Sequence, residues 1–526
     1  MTGPEPLHPD ACYLALQAHD ARFDGRFFTG VTSTGIYCRP VCRVRTPRRE
    51  NCRFFGHAAQ AEQAGFRPCL RCRPELAPRS LAWSAQDASA ILAREAARLI
   101  DEPEAWPADG PLLPWLSARL GVSDRHLRRV FQDQLGVSPL QYLQTRRLLT
   151  AKQLLADTRL PITDVAQLSG FASLRRFNAA FAAHYALNPS ALRREGVEGA
   201  TDRTTNAAAV RLGLRPPFDH RALIGFFAQR QLTDVESVDV TAATLARTLA
   251  IETAGRRHTG WLRVCFEPDR SQVRLEVGEG LLAVLPTVIA RVRAALDLDA
   301  DPQAIAAVLG RAFPGQDGLR VPGSFCGFEL AVRAVLGQQV TVAAARTLAQ
   351  RLVERFGEPL ATPVAGLARL FPSPAALADT PASGLGELGI VRQRQAAIQA
   401  LARAVASGEL ALNGGADAPT TLVQLRALPG IGEWTAQYVA MRALRWPDAF
   451  PAADVALHQA LGLRHAPQPA RAAAELAQAW RPWRSYAVVR AWARAAPTPS
   501  PSNGVGQPGH THRTDRARHT DSQASL

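Results

Sequence analysis

Lysine is all but missing from this chain. Among 526 residues Lys152 is the only one, so the formal charge of +15 rests on arginine. Long apolar runs are missing too. No stretch of 18 or more apolar residues occurs, which excludes a membrane-spanning helix. The N-terminal stretch lacks the apolar core of a signal peptide, and a cytoplasmic, nucleoid-associated protein is expected. Cysteine is scarce, with eight in all. Disulfides do not persist in the cytosol, so these thiols read as metal ligands or nucleophiles. What is present describes a soluble globular protein, with 47% hydrophobic and 20% charged residues. One hydrophobic core does not suffice at this length, and several domains are expected. The positive balance favours nucleic acid as partner, although it also fits non-specific anion binding.

Six of the eight cysteines precede Pro78. Cys38 and Cys42 form one close pair, Cys69 and Cys72 another. Two turns that each present two thiolates make a tetrahedral sulfur site suited to one zinc ion. Cys12 and Cys52 fall outside this spacing and read as small buried residues. From Arg22 to Arg73 there are eleven Arg against three acids, an excess that suits phosphate. The wording around the thiols, Thr32 to Pro40 and Gly65 to Cys72, resembles the N-terminal domain of the Ada methylphosphotriester repair proteins. That resemblance makes Cys38 both ligand and methyl acceptor, and assigns DNA contacts to Thr34, Arg45, Arg67 and Arg71. The chemistry follows. Four thiolates around one zinc carry a net charge of −2, so one sulfur stays nucleophilic. Methylating it leaves −1, and DNA is repelled less.

Two helix-turn-helix patterns follow. Trp115, Leu116 and Leu120 precede a turn at Gly121 to Ser123, then Leu127, Val130 and Phe131. Ile162, Val165 and Leu168 precede a turn at Ser169 to Phe171, then Leu174, Phe177 and Phe181. Ser123 and Ser173 are placed as N-caps. Arg125, His126, Arg128 and Arg129 mark the outward side of the first recognition helix, and Arg175, Arg176 and Asn178 that of the second. Joined by a helix near Tyr142 to Leu155, the tandem units resemble the AraC-type DNA-binding domain.

In the C-terminal half, Leu422, Leu425 and Leu428 space like one side of a short helix. Pro429 to Gly432 breaks it, and Trp434, Tyr438 and Met441 restart a stripe. This reads as a helix, a glycine hairpin and a second helix whose first N–H groups bind phosphate. Asp454 opens a further helix, where an N-cap role alone would account for it. From Leu428 to Asp454 the spacing resembles the helix-hairpin-helix DNA glycosylases, and more closely the AlkA-type 3-methyladenine DNA glycosylases. The similarity runs from about Leu214 to Ala495, through a small α/β part with strands at Trp261 to Phe266 and Gln272 to Val277 and helices at Arg221 to Ala228 and Leu281 to Leu296. It implies that Asp454 is the catalytic carboxylate, that Phe226, Trp434, Tyr438 and Trp492 line the base pocket, and that Gln338, Gln339, Gly430, Gly432 and Thr435 touch DNA. Aromatic faces attract an alkylated, cationic purine by about 0.5–2 kcal/mol each. Their plainer reading is core. Superfamily members that cleave the backbone carry a Schiff-base lysine where this chain has Trp434, so base release without strand cleavage is expected. Two positions depart from the family, Gln339 in place of an apolar wedge and Val455 in place of an aromatic residue. The Pro-Cys-His-Arg motif of an O6-methylguanine methyltransferase is absent.

The expected fold is multidomain, mainly α with small α/β parts. Its divisions are a zinc domain (1–78), a double helix-turn-helix (80–194), a linker (195–210), an α/β domain (211–300), a glycosylase domain (301–495) and a disordered tail (496–526), whose His510, His512 and His519 read as solvated. The expected partners of this monomer are alkylated and promoter double-stranded DNA and RNA polymerase. The main alternative is a methylation-sensing activator whose glycosylase-like half only holds DNA. A small-ligand AraC-type regulator is disfavoured, because no cupin-like β domain precedes the helices.

Overall fold

The computed structural model describes residues 8–79, 88–102, 104, 111–196, 207–253 and 255–495. Strands β1 (Phe28–Val31), β2 (Ile36–Cys38), β3 (Cys52–Phe55) and β4 (Arg67–Pro68) form a sheet in the order β3-β1-β2-β4. β1 pairs antiparallel with β2 and β3, and β4 runs parallel to β2. Phe28, Tyr37, Ala61 and Phe66 make its small core. Cys12 and Cys52 are buried.

The first helix-turn-helix pairs Leu112–Leu120 with Asp124–Leu135, and the second pairs Ile162–Leu168 with Leu174–Tyr185. Ser123 Oγ accepts the His126 N–H and Ser173 Oγ the Arg176 N–H, both at 3.3 Å. Each recognition helix therefore starts at its capping serine. A long helix, Pro139–Asp157, joins the units.

Strands β5 (Ala208–Gly213), β6 (Glu236–Asp239), β7 (Thr244–Thr253), β8 (Arg256–Glu267) and β9 (Gln272–Val277) form an antiparallel sheet, ordered β5-β9-β8-β7-β6. The helix expected from Leu281 begins later, as Leu285–Ala295, after a 3-10 segment Glu279–Val284. Pro286 explains the shift, since proline suits the first helical turn and not the interior. Among the described residues from Pro302 onward, the regular elements are all helices.

The cores cross the sequence divisions. Phe131, Leu127 and Tyr142 belong to one core with the first unit. Leu148, Leu154, Phe177 and Phe181 belong to another that also contains Val210, Leu262, Leu275 and Val288. The second helix-turn-helix unit and the five-stranded sheet thus bury one apolar mass, with about 2–3 kcal/mol from each fully buried Phe. The largest core runs from Leu232 to Ala491 and holds the helical domain. The helix Pro189–Gly196 reaches into the expected linker, and β5 begins at Ala208. Residues 197–206 and the tail with its three histidines lie outside the described residues. Among the described residues no helix is long and apolar enough to cross a membrane.

Polar junctions finish the assembly. Arg215 is fully buried and donates to five backbone carbonyls, those of Asp24, Pro78, Arg79, Asp299 and Ala300. It ties the first sheet's domain to the chain just after helix Leu285–Ala295. Gly213 permits the approach: a Cβ there would lie 2.1 Å from Leu76 O. Lys152, 2% exposed, donates to Cys69 O at 3.0 Å and to Glu75 at 2.6 Å. Arg73 bridges Glu75 and Asp157.

Removing one partner of a buried ion pair strands the other. Lys152→Met is expected to destabilise the protein by about 3 kcal/mol, the low end of that effect, because Glu75 keeps Arg73. Burial would raise the Glu75 carboxyl, but Lys152 and then Arg73 outweigh it and hold it below its usual range. A lowered pKa gives stability that is full above about pH 4.3. It is lost as pH falls through the folded-state value. Urea melts at pH 7 and in acid check this: the gap between variant and wild type should narrow as pH falls below about 4.3.

Candidate active sites and DNA-facing surfaces

The parallel pairing of β2 and β4 sets Tyr37 opposite Pro68, and the Cys69 N–H donates to Tyr37 O at 3.0 Å. This register puts Cys38 beside Cys69. The Arg39 N–H donates to Cys72 Sγ at 3.3 Å. The sulfurs of Cys38, Cys42, Cys69 and Cys72 lie within 4.8 Å of one another. Sulfurs bound to tetrahedral zinc at about 2.3 Å sit about 3.8 Å apart, so the donor set fits that ion. Hydrogen bonds from Cys38, Cys42 and Cys72 hold the Cys69 thiol far below its usual range, while burial drives that of Cys72 up. Four crowded thiols cannot all ionise unaided, and a divalent cation removes the conflict.

A cleft of about 970 Å³ opens over Cys38 and Cys69. Thr34, Arg45, Arg67 and Arg71 line it, and Tyr185 and Leu187, at the end of the second recognition helix, close one side. Arg125, Arg128, Arg175 and Arg176 are exposed on the two recognition helices.

In the helical domain, helix Ala418–Ala427 is followed by the hairpin and helix Glu433–Arg442. Gly430 has φ +74°, a left-handed conformation that glycine adopts without strain. Gly432 is the exposed N-cap of the second helix. Gln338 Nε2 donates to Gly430 O at 2.9 Å and to Thr435 Oγ1 at 3.0 Å, so the loop after helix Gly327–Leu336 is pinned to the hairpin. Its neighbour Gln339 is exposed, with φ +55°.

Asp454 caps helix Val455–Ala460, its Oδ1 accepting the Leu457 N–H at 2.7 Å. Capping does not exhaust it. Trp434 Nε1 donates to Oδ2 at 2.8 Å and Trp492 Nε1 to Oδ1 at 3.1 Å. Three N–H donors hold one buried carboxylate in a single rotamer. Trp434 stacks on Tyr438 with ring centroids 5.3 Å apart, and Tyr438 lies 6.3 Å from Trp492. All three rings and Phe226 are half-buried, with Tyr438 and Trp492 packed against the edge of the largest core. Phe226, on helix His220–Ala228, joins the group through Arg442, whose guanidinium carbon is 4.7 Å from its ring and 5.2 Å from that of Tyr438.

Sequence reasoning missed Arg442 and Arg230. Arg230 lies 3.7 Å over the Phe226 ring. Burial, against the pull of Tyr438 and with the like charge of Arg442, brings its pKa down to about 10. The signal was available: Phe226 and Arg230, like Tyr438 and Arg442, stand four apart, on one helical face.

Four family profiles match in series. They are the metal binding domain of Ada over residues 11–75, a helix-turn-helix domain over 116–195, the AlkA N-terminal domain over 209–326, and the HhH-GPD superfamily base excision DNA repair protein over 332–485. A "probable bifunctional transcriptional activator/DNA repair enzyme AlkA" of Mycobacterium tuberculosis is 39% identical over 500 residues, 92% of this chain and 97% of that one. The chain belongs to the Ada–AlkA fusion family. Each half of the fusion also has separate relatives. The DNA-3-methyladenine glycosylase 2 of Escherichia coli is 32% identical over 284 residues, 53% of this chain and 95% of its own. The bifunctional transcriptional activator/DNA repair enzyme Ada of the same organism is 35% identical over 151 residues, 28% of this chain and 39% of its own. As an Ada–AlkA fusion, the protein combines DNA repair with transcription regulation and binds DNA. Its Ada-type half takes one zinc ion through the four cysteines, and its AlkA-type half is a glycosylase.

Proposed function

We propose that Cys38 accepts the methyl group of a DNA methylphosphotriester and that Asp454 serves base release from alkylated purines such as 3-methyladenine. The observation that carries the second assignment is the grip of two indole N–H groups on Asp454 beside the glycine hairpin. Cys38 and four phosphate-suited side chains sharing one cleft support the first.

In the first site the Cys38 sulfur attacks the methyl carbon, and the methyl–oxygen bond breaks with its electron pair on the phosphate oxygen. The diester is restored and Cys38 becomes a thioether. Zinc, when bound, keeps the thiols ionised at neutral pH. Losing one negative charge weakens repulsion of DNA, so repair becomes a binding signal. Arg125, Arg128, Arg175 and Arg176 then face promoter DNA, with RNA polymerase as the partner of a monomeric activator.

In the second site a purine alkylated on a ring nitrogen already carries positive charge and leaves neutral. Asp454 need only stabilise the oxocarbenium-like sugar and orient water. The flipped base stacks among Phe226, Trp434, Tyr438 and Trp492. Gly430, Gly432, Thr435, Gln338 and Gln339 hold the backbone nearby, with the N-terminus of helix Glu433–Arg442 aimed at phosphate. No lysine is free for strand cleavage through a Schiff base, because the only one in the sequence, Lys152, is buried against Glu75.

A duplex carrying both lesions tests the reading. Peptide mass mapping should find the methyl on Cys38 alone, and the DNA should hold an intact abasic site that breaks only in hot alkali. Methyl on Cys69, the other cluster sulfur in the cleft, moves the acceptor. Strand breaks without alkali, trapped by borohydride, would overturn the monofunctional assignment.

A further inference from the structure

The base pocket holds two positive charges for which a cationic base has no use. Arg442 Nε donates to Pro322 O at 2.7 Å, Nη2 to Gly323 O at 3.2 Å and Nη1 to the Tyr438 hydroxyl at 2.5 Å. Arg230 Nη1 donates to Phe226 O at 3.2 Å. Among the described residues neither guanidinium forms an ion pair with a carboxylate; Arg333 nearby has Glu236 and Glu329. An alkylpurine cation gains from the ring faces but meets like charge here. The pocket is therefore not shaped by cations alone.

Tyr438 stands at the centre of this field. Its oxygen accepts from Arg442, and its own proton has no acceptor among the described residues. Burial by itself would raise its pKa, yet Arg442 and then Arg230 overcome that and lower it below the ordinary tyrosine value. A phenol with a free O–H, made more acidic by cations, is suited to proton donation.

We propose that Tyr438 is the proton donor for lesions that depart without a positive charge, such as deaminated purines, with Arg442 and Arg230 holding the phenolate. This rests on the glycosylase reading above. The bond between sugar C1′ and the base nitrogen breaks with its electron pair on the base. The Tyr438 proton goes to the base, and the phenolate charge rests against the two guanidiniums. Water adds to C1′, and the proton it sheds restores the phenol through solvent. One water is consumed for each base released, and Tyr438 ends as it began. A base alkylated on a ring nitrogen needs no such proton, because it leaves neutral.

Tyr438→Phe keeps the ring stack and deletes only the hydroxyl. Single-turnover release at saturating enzyme, from duplexes with hypoxanthine or with 3-methyladenine, separates the roles. Hypoxanthine release should fall about a hundredfold or more, the usual reach of a general acid, and 3-methyladenine release by less than about tenfold. The wild-type rate on hypoxanthine should also decline in alkali from below the ordinary tyrosine pKa, and this limb should vanish in the variant. The groups that set that pKa are Arg442 on the same helix, Arg230 beside Phe226 and Arg333 on helix Gly327–Leu336, with Asp454 behind Trp434. Equal losses on both lesions would mean a packing role and overturn the proposal. So would a wild type that releases 3-methyladenine but no hypoxanthine, which leaves the glycosylase reading standing. A wild type that releases neither overturns both.

Discussion

Asp454→Asn is expected to release 3-methyladenine at least about a hundredfold more slowly than the wild type, the typical loss for one preorganised electrostatic group. On the proposed assignment the substitution removes a charge that acts mainly on the oxocarbenium-like transition state, so turnover should fall far more than DNA affinity. Binding is expected to hold or improve, because a carboxylate beside the phosphate backbone repels it. The local cost is calculable. An Asn oxygen still accepts the Leu457 N–H and the Trp492 indole at the Oδ1 position. Its amide then faces the Trp434 indole, donor against donor, where Oδ2 accepted at 2.8 Å. Leaving that indole unsatisfied costs about 1–3 kcal/mol. The two proteins should therefore be compared below the variant's melting transition, with single-turnover gels after hot alkali. A variant with full activity would show that Asp454 is only the cap of helix Val455–Ala460.

Cys42→Ser is expected to lose the zinc and unfold the N-terminal domain. Binding of structural zinc is worth about 10–16 kcal/mol, far more than a small four-stranded sheet supplies. The damage should spread. Lys152 donates to Cys69 O, in the ligand loop, and Arg39 links Cys72 O to the buried Asp24. The Asp24 carbonyl in turn accepts from Arg215. Losing the loop leaves Lys152 and Arg215 short of partners in the remaining domains. A metal count should show one zinc in wild type and none in the variant. The thermal transition of the remaining domains should also fall by several degrees. A metal-free variant with an intact N-terminal domain would refute the structural role of zinc.

Local chemistry was legible wherever a residue's role depends on near neighbours. Ser123 and Ser173 announce caps because the cap bond spans three residues. Gly430 announces a hairpin through its own backbone freedom. The cysteine spacing announces two ligand turns. Asp454 was legible as a cap, and as a catalytic candidate only by resemblance. Its two indole partners stand 20 and 38 residues away, and periodicity does not report such distances.

Arg215 shows the limit most clearly. Its acceptors are backbone carbonyls up to 191 residues distant, and a carbonyl carries no side-chain signature. The same holds for the core shared by Phe177, Phe181 and the five-stranded sheet. A recognition helix reads as half apolar whichever partner covers it. The sequence by itself determined the caps, the hairpin, the thiol pairs and the excess of arginine, because those are written in spacing and composition. Tertiary structure alone decided that helix-turn-helix and α/β sheet share one core. It alone also left Arg230 and Arg442 without a carboxylate partner among the described residues, because burial and charge compensation depend on what the folded chain brings together.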